Sequence, residues 1–333
     1  MKLFNKDLNR EIIYVAEIGV NHEGNINRCL KLIKDAKTAG ADVVKFQCFT
    51  PKNYVSMYEE KYKIIKKFYF DEVAFTKIIN YCKRIKINFL FTPVSHDWIK
   101  FIKKNSSVVK IASGDLNFDF LIKKIIKQNL NIILSTGISD MKEIKKTFNI
   151  IKKKYKNKIK NKLVLLHCVS SYPVNDTDAN LQSITYLKNK FNVTVGYSNH
   201  VNGINACLGA IALGARVVEF HFTDDKKRKF RDHKLSLNTS DVRDLIKKGN
   251  NLKLMLGKYE KKICKKIIKD KKTLSKGIVA KNDLERGSIL SKESISFARP
   301  AKFLHANQAN KIIGKKLKTK ILAGSLLKLK DFN

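Results

Sequence analysis

A repeating alternation of two segment types constrains this 333-residue sequence more than any other feature. Eight short apolar runs, at 12–18, 43–46, 88–92, 108–111, 132–135, 163–167, 193–197 and 217–221, are separated by helix-like stretches. These lie at 27–39, 71–84, 96–103, 119–128, 140–155, 181–191, 202–213 and 239–256. The runs are continuously apolar, as in parallel strands buried on both faces. Eight strand–helix units in about 250 residues predict a closed (β/α)8 TIM barrel. A doubly wound open sheet is the structural alternative. Against it, the first run leads into Gly19-Val20-Asn21-His22-Glu23-Gly24, which lacks the G-x-G-x-x-G dinucleotide fingerprint. Polar and charged residues also collect at the C-terminal ends of the runs, where barrel enzymes carry their active sites.

The texture changes beyond 257. Residues 258–276 read as a Lys-rich charged helix and linker. After Gly277, short strand-like runs at 278–280 and 295–298 are interrupted by turn signals at Asn282-Asp283, Arg286-Gly287 and Ala323-Gly324. The expected organisation is a barrel over 1–257, a linker over 258–276, and a small, mostly β domain over 277–333. A domain of that size has a marginal core and is expected to lean on a partner surface.

The formal charge of +39 suggests nucleic acid at first sight, but 59 of the 68 basic residues are Lys and 9 are Arg. Arg is the residue of bidentate phosphate and base reading, whereas Lys is a solvated point charge. The lysines are spread over the whole chain among many Ile and Asn, so the charge reads as composition on solvated helix faces. No nucleic-acid partner is expected, although the charge can help attract anionic substrates. No apolar run approaches the roughly 18 residues of a membrane span. The N-terminal stretch shows no secretory apolar region, so the expectation is a cytoplasmic protein without a membrane partner. Six scattered cysteines have neither C-x-x-C nor metal-ligand spacing, and read as small buried residues without disulfides.

The strand ends carry Glu17; Lys45 and Gln47; Thr92; Lys110 with Ser113 and Asp115; Ser135 and Thr136; His167, Ser170 and Tyr172; Ser198 and His200; and Glu219 with His221. Two lysines ending buried strands are costly unless an anion meets them. One reading pairs them with Glu17 or Glu219. The other uses them to hold a phosphate- or carboxylate-bearing ligand. His200 and His221 end neighbouring strands, and either share a divalent cation or serve as ordinary hydrogen-bonding histidines. Asp232-His233 adds polar groups to the same mouth.

Taken in order, these segments resemble the sialic acid synthases (N-acetylneuraminate synthase family). The resemblance runs through Ala16-Glu17-Ile18-Gly19-Val20-Asn21-His22-Glu23-Gly24, Val44-Lys45-Phe46-Gln47, Lys110-Ile111-Ala112-Ser113-Gly114-Asp115 and Leu134-Ser135-Thr136-Gly137. It continues through His167-Cys168-Val169-Ser170-Ser171-Tyr172-Pro173, Gly196-Tyr197-Ser198-Asn199-His200, Glu219-Phe220-His221-Phe222-Thr223 and Asp232-His233-Lys234-Leu235-Ser236. The tail, from Gly277-Ile278-Val279-Ala280 through Arg299-Pro300 to Ile313-Gly314-Lys315-Lys316-Leu317, resembles that family's antifreeze-like (SAF) domain.

The resemblance implies condensation of phosphoenolpyruvate (PEP) with an N-acylated amino-hexose to a nine-carbon 2-keto-3-deoxy acid, with release of phosphate, as a step in surface glycan biosynthesis. It assigns Lys45, Thr92, Lys110, Ser113, Ser135, Ser170 and Ser198 to PEP, and Gln47, Tyr172, Asp232 and Arg299 to the sugar. Glu17 and Asp115 become the carboxylates of sugar contact and proton transfer. His200 and His221 become ligands of Mn²⁺ or Mg²⁺. It further implies a domain-swapped homodimer in which Arg299 reaches the partner's site.

Three departures from the family pattern concern the acceptor sugar. Phe220 replaces a usual Lys, Arg231 replaces a usual Pro, and the 50–70 loop is short. They leave N-acetylmannosamine and a 2,4-diacetamido relative both open, while Ser113-Gly114-Asp115 argues mildly against a pseudaminic acid synthase. Another PEP-dependent 3-deoxy-ulosonate synthase is the alternative enzyme. A non-catalytic carbohydrate- or nucleic-acid-binding protein is the alternative class.

Overall fold

The computed structural model describes residues 1–229 and 231–333, with the backbone alone at Arg231, so the Arg231 side chain noted above lies outside what is described. The chain divides into two compact units, Met1–Gly257 and Lys258–Asn333.

In the first unit the eight apolar runs are strands β1 (Ile13–Gly19), β2 (Val43–Cys48), β3 (Asn88–Pro93), β4 (Val108–Ile111), β5 (Asn131–Ser135), β6 (Leu163–Cys168), β7 (Thr194–Asn199) and β8 (Val217–His221). Each pairs in parallel with the next, and β8 closes on β1 with His221 opposite Glu17. The sheet is therefore a closed barrel and not an open doubly wound one. Helices α1 (Ile26–Ala39), α4 (Glu72–Arg84), α5 (Ile99–Asn105), α6 (Asp119–Lys127), α7 (Met141–Tyr155), α8 (Ser183–Phe191), α9 (Asn205–Ala212) and α11 (Thr239–Leu256) follow the eight strands. Local chemistry starts them where the sequence carries caps. Asn25, Asp71, Asp140 and Asn238 each accept a backbone N–H of the first turn, and Asp140–Glu143 and Asn238–Asp241 form reciprocal capping boxes.

Two apolar layers result. Outward-facing strand residues such as Tyr14, Val44, Phe91 and Ile132 pack against the helices. Inward-facing Ile13, Val15, Val43, Leu90, Val108, Ile133, Val164, Leu166 and Val217 fill the lower barrel. Leu3 and Leu8, from an N-terminal hairpin pairing Lys2–Leu3 with Lys6–Asp7, join this interior cluster.

Four elements were not read from the sequence: that hairpin, helices α2 (Pro51–Tyr54) and α3 (Lys61–Lys67) in the 50–70 loop, and helix α10 (Arg231–Leu235). In the second unit, α12 (Lys265–Leu274) precedes an antiparallel pair, β9 (Gly277–Ala280) with β10 (Ile295–Ala298). Its own core includes Ile278, Leu290, Ile312, Leu317 and Leu327. No helix among the described residues is long and apolar enough to cross a membrane.

Candidate active site

Side chains two residues apart on a strand face the same side, and two residues beyond the apolar interior the barrel turns polar. Val15 is followed by Glu17, Val43 by Lys45, Leu90 by Thr92, Val108 by Lys110, Ile133 by Ser135, Leu166 by Cys168 and Val217 by Glu219. With Ser198 on β7, these line the floor of a cavity of about 830 Å³. Gln47, from the end of β2, donates to Glu17 at 3.0 Å. Ser113 and Asp115 enter from the turn after β4, Ser170 and Tyr172 from the loop after β6, His200 and His221 from the ends of β7 and β8, and Asp232 from α10. Arg299 belongs to the second unit, where it is exposed and its Nε donates to the Leu274 carbonyl at 2.6 Å.

Four buried charges meet on the floor. Lys45 Nζ lies 3.0 Å from Glu17 and 3.3 Å from Glu219, and Lys110 Nζ lies 3.8 Å from Glu219 and donates to Ser135 Oγ at 2.7 Å. The two lysines thus have both carboxylates as partners. The carboxylates differ in character. Burial raises the pKa of Glu17 despite Lys45. Burial acts on Glu219 too, but Lys110 and Lys45 together hold its carboxyl down at about 2. Burial works against the Lys45 charge, yet Glu17 and Glu219 keep its pKa above the ordinary value, whereas burial leaves that of Lys110 lowered. Asp115, nearer the rim, is pushed up to about 6 by burial, with Lys110 pulling the other way.

A glycine brings the hydroxyls together. At Gly137, a Cβ would lie 2.5 Å from Ser170 Oγ and 2.9 Å from both Cys168 Sγ and Ser113 Oγ, and its N–H donates to Ser113 Oγ at 2.9 Å. Any side chain there would occupy the space where these groups converge.

The two histidines suit a divalent cation. The Val169 carbonyl can only accept, so His200 Nδ1, 2.7 Å away, carries the proton there and Nε2 points elsewhere. Burial lowers the His200 pKa, but Cys168 and Val169 outweigh it and hold it above the ordinary value. His221 Nδ1 is buried without a hydrogen-bond partner, 3.7 Å from Asp232 Oδ2. Burial, opposed by Asp232 and reinforced by His200, lowers the His221 pKa to about 4, so its ring is neutral and free to ligate. The ring centroids are 5.3 Å apart. Two such imidazoles beside a carboxylate fit a cation that completes its shell with substrate or water oxygens. Among the described residues no preformed cluster of three ligating side chains is present.

Residues 32–261 match the model of the NeuB family, and residues 275–333 match that of the SAF domain. The chain belongs to the NeuB family. This NeuB-family chain is 37% identical over 311 residues to an uncharacterized protein of Methanocaldococcus jannaschii, covering 91% of this chain and 89% of that one. It is 34% identical over 322 residues to an N,N'-diacetyllegionaminic acid synthase of Campylobacter jejuni, covering 92% and 96%. Among solved structures, the N-acetylneuraminic acid (sialic acid) synthetase of Leptospira borgpetersenii, crystallised with citrate, superposes with a TM-score of 0.75 at 30% identity. That match covers 79% of this chain and 90% of the other. The family and the barrel-plus-SAF architecture expected from the motifs are thus both found.

Two features of the NeuB-family barrel escaped the sequence reading. Glu219 pairs with both lysines, which the ion-pair reading allows, but no sequence signal marks it as the carboxylate on which Lys45 and Lys110 converge together. Asn53, Tyr54, Val55, Lys61 and Ile64 of the 50–70 loop also line the cavity. The cysteines are all free, as expected, but Cys264 is exposed. Cys168 also differs from an inert core thiol. Burial raises its pKa, yet His200, 3.7 Å away, and Lys110 bring it below the ordinary value.

Proposed function

We propose that the barrel condenses PEP with an N-acylated amino-hexose, forming a nine-carbon 2-keto-3-deoxy acid and releasing phosphate. The observation that carries this reading is the polar floor itself: two buried lysines and converging hydroxyls beside two imidazoles, in a single cavity. Lys45 and Lys110 take the anionic groups of PEP, with Thr92, Ser113, Ser135, Ser170 and Ser198 donating to their oxygens. Gln47, Tyr172 and Asp232 orient the sugar. A divalent cation, Mn²⁺ or Mg²⁺, held by His200 and His221 would supply Lewis-acid polarisation of the sugar aldehyde.

Carbon 3 of PEP then forms the new C–C bond at the aldehyde carbon, whose oxygen takes up the proton that buried Glu17 gains when PEP binds. Water adds to carbon 2 and gives a proton to Asp115, whose raised pKa suits a base working near neutrality. The tetrahedral intermediate collapses by cleavage of the carbon 2–phosphate oxygen bond, and the carbon-2 hydroxyl gives its proton to the departing phosphate as the keto group forms. The relatives' names support an acceptor of the sialic or diacetamido type. We further propose that the 277–333 domain caps the partner's barrel in a swapped dimer, with Arg299 reaching the sugar.

A phosphate-release assay with PEP and a panel of 2-acetamido and 2,4-diacetamido hexoses tests the reaction. Release with one acceptor is expected, and none with any of them overturns the reading. Co-folding Lys45→Ala with Arg299→Ala chains tests the swap. Action in trans restores about a quarter of full activity, whereas action within one chain leaves the mixture inactive.

A further inference from the structure

The segment Asn21-His22-Glu23-Gly24 lies within the first of the segments that resemble the family, yet none of its residues lines the cavity. It stands between the two segments that cover the cavity mouth. On one side is the 50–70 loop, which brings Tyr54, Lys61 and Ile64 to the cavity. The His22 ring stacks on Phe70 at 4.2 Å between centroids, with the planes 21° apart. Val20 joins Phe49 and Phe68 in a separate small core. Gly24, at φ +74°, passes so close to the loop that a Cβ would lie 2.0 Å from the Lys67 carbonyl oxygen. The Gly24 N–H donates to His22 Nδ1 at 3.0 Å, which fixes the ring's tautomer. Burial, reinforced by Arg28, lowers the His22 pKa to about 3, so it stays neutral.

On the other side is α10, which places Asp232 beside His221. Glu23 Oε1 is 3.1 Å from His233 Nε2, and His233 Nδ1 is 2.7 Å from Thr223 Oγ1. Arg28 holds Glu23 at 2.7 Å. Asn21 Nδ2 donates to the Phe222 carbonyl at 2.8 Å and to Ser236 Oγ at 3.0 Å, and Ser236 Oγ in turn donates to the Asp232 carbonyl at 2.6 Å. Asn21, His233 and Thr223 are fully buried. Such contacts hold a group in place without touching the reactants.

We propose that Asn21, His22 and Glu23 are positioning residues that couple the 50–70 loop to the Asp232 helix, so that the acceptor meets both covers as one unit. The steady-state part of this proposal rests on the function proposed above; the mechanical part does not. Its test compares His22→Ala and Glu23→Ala with the unaltered chain by amide hydrogen exchange. Each substitution is expected to speed exchange by about tenfold on both sides, over 61–67 and over 231–235, the loss of about one buried hydrogen bond or stacked contact. Faster exchange only on the side each residue touches overturns the coupling.

In steady state, both variants are expected to raise the acceptor KM about tenfold while leaving the PEP KM within about twofold. Glu23→Gln, which keeps an acceptor for His233, restores most of it. Equal rises in both KM values overturn the proposal, because a merely destabilised barrel would produce them. Should Glu23→Ala fail to fold, Glu23→Asp, which shortens the reach to His233 by one methylene, carries the same expectations. If the unaltered chain condenses no sugar, the proposed function fails, and the exchange data still decide the coupling.

Discussion

The lower and upper halves of the barrel interior are built by the same strands with the same alternation, yet they do opposite things. Below, Val15, Val43, Leu90, Val108 and Val217 share one apolar cluster, joined by Leu3 and Leu8 from the hairpin. Two residues further, Glu17, Lys45, Thr92, Lys110 and Glu219 replace them, and four charges are held out of water. The lower half contributes stability through buried area. The upper half gives some of it back for a preorganised polar surface. Stability and chemistry are therefore separated along each strand by one pleat, and substitutions on either side of that pleat should behave differently.

The largest expected effect is above the pleat. Lys110→Met conserves volume but removes the charge facing Glu219, and should cut kcat/KM for phosphate release about 1000-fold with the barrel still folded. Near-normal turnover by this variant would mean the upper charges are structural. Leu90→Ala, below the pleat, should lower the unfolding free energy by about 3 kcal/mol in denaturant titration while leaving kcat of the folded enzyme unchanged. A large fall in kcat would erase the distinction between the halves.

Asp115→Asn should reduce kcat about 100-fold and abolish an acid limb near pH 6. The sign follows from the raised pKa. In the proposed reaction the Asp115 carboxylate is the base, present above about pH 6, so wild-type activity should rise through that value. Folding is favoured by the protonated form, a contribution fully present below the unfolded value of 3.8 and lost as pH rises through about 6. At pH 7 the variant should therefore melt higher than wild type while working more slowly. Leu8→Ala, at the hairpin, should cost about 2 kcal/mol of stability with unchanged kinetics, the smallest of the four effects.

The pleat also explains what could be read from sequence. Barrel strands buried on both faces leave uninterrupted apolar runs, so β4 and β8 have the expected bounds, and the other strands differ from theirs by one or two residues at one end or both. Lys45, Lys110, Glu17 and Glu219 stand out because charges inside such apolar runs are costly unless they meet one another or a ligand. The 50–70 loop carried no comparable signal. Its short helices α2 and α3 mix Lys, Tyr and Ile without a clear period, and are held by tertiary contacts such as the stacking of His22 on Phe70. Helix α10 is only five residues long, and its anchors, Glu23 and Asn21, lie about 210 positions away in sequence. Local pattern cannot announce contacts of that separation.

The pairing of Lys45 and Lys110 with Glu17 and Glu219 has a calorimetric consequence. An anion arriving at these lysines does not find bare cations; it displaces carboxylates already in place. Glu17, with its raised pKa, can answer the new negative charge by taking a proton from solution. Ligand binding should then draw protons from the buffer, and the measured heat should shift between PIPES and Tris in proportion to their ionisation enthalpies. The exchange is one ion partner for another in a dry setting, so added salt should weaken it much less than the chain's net charge of +39 would suggest.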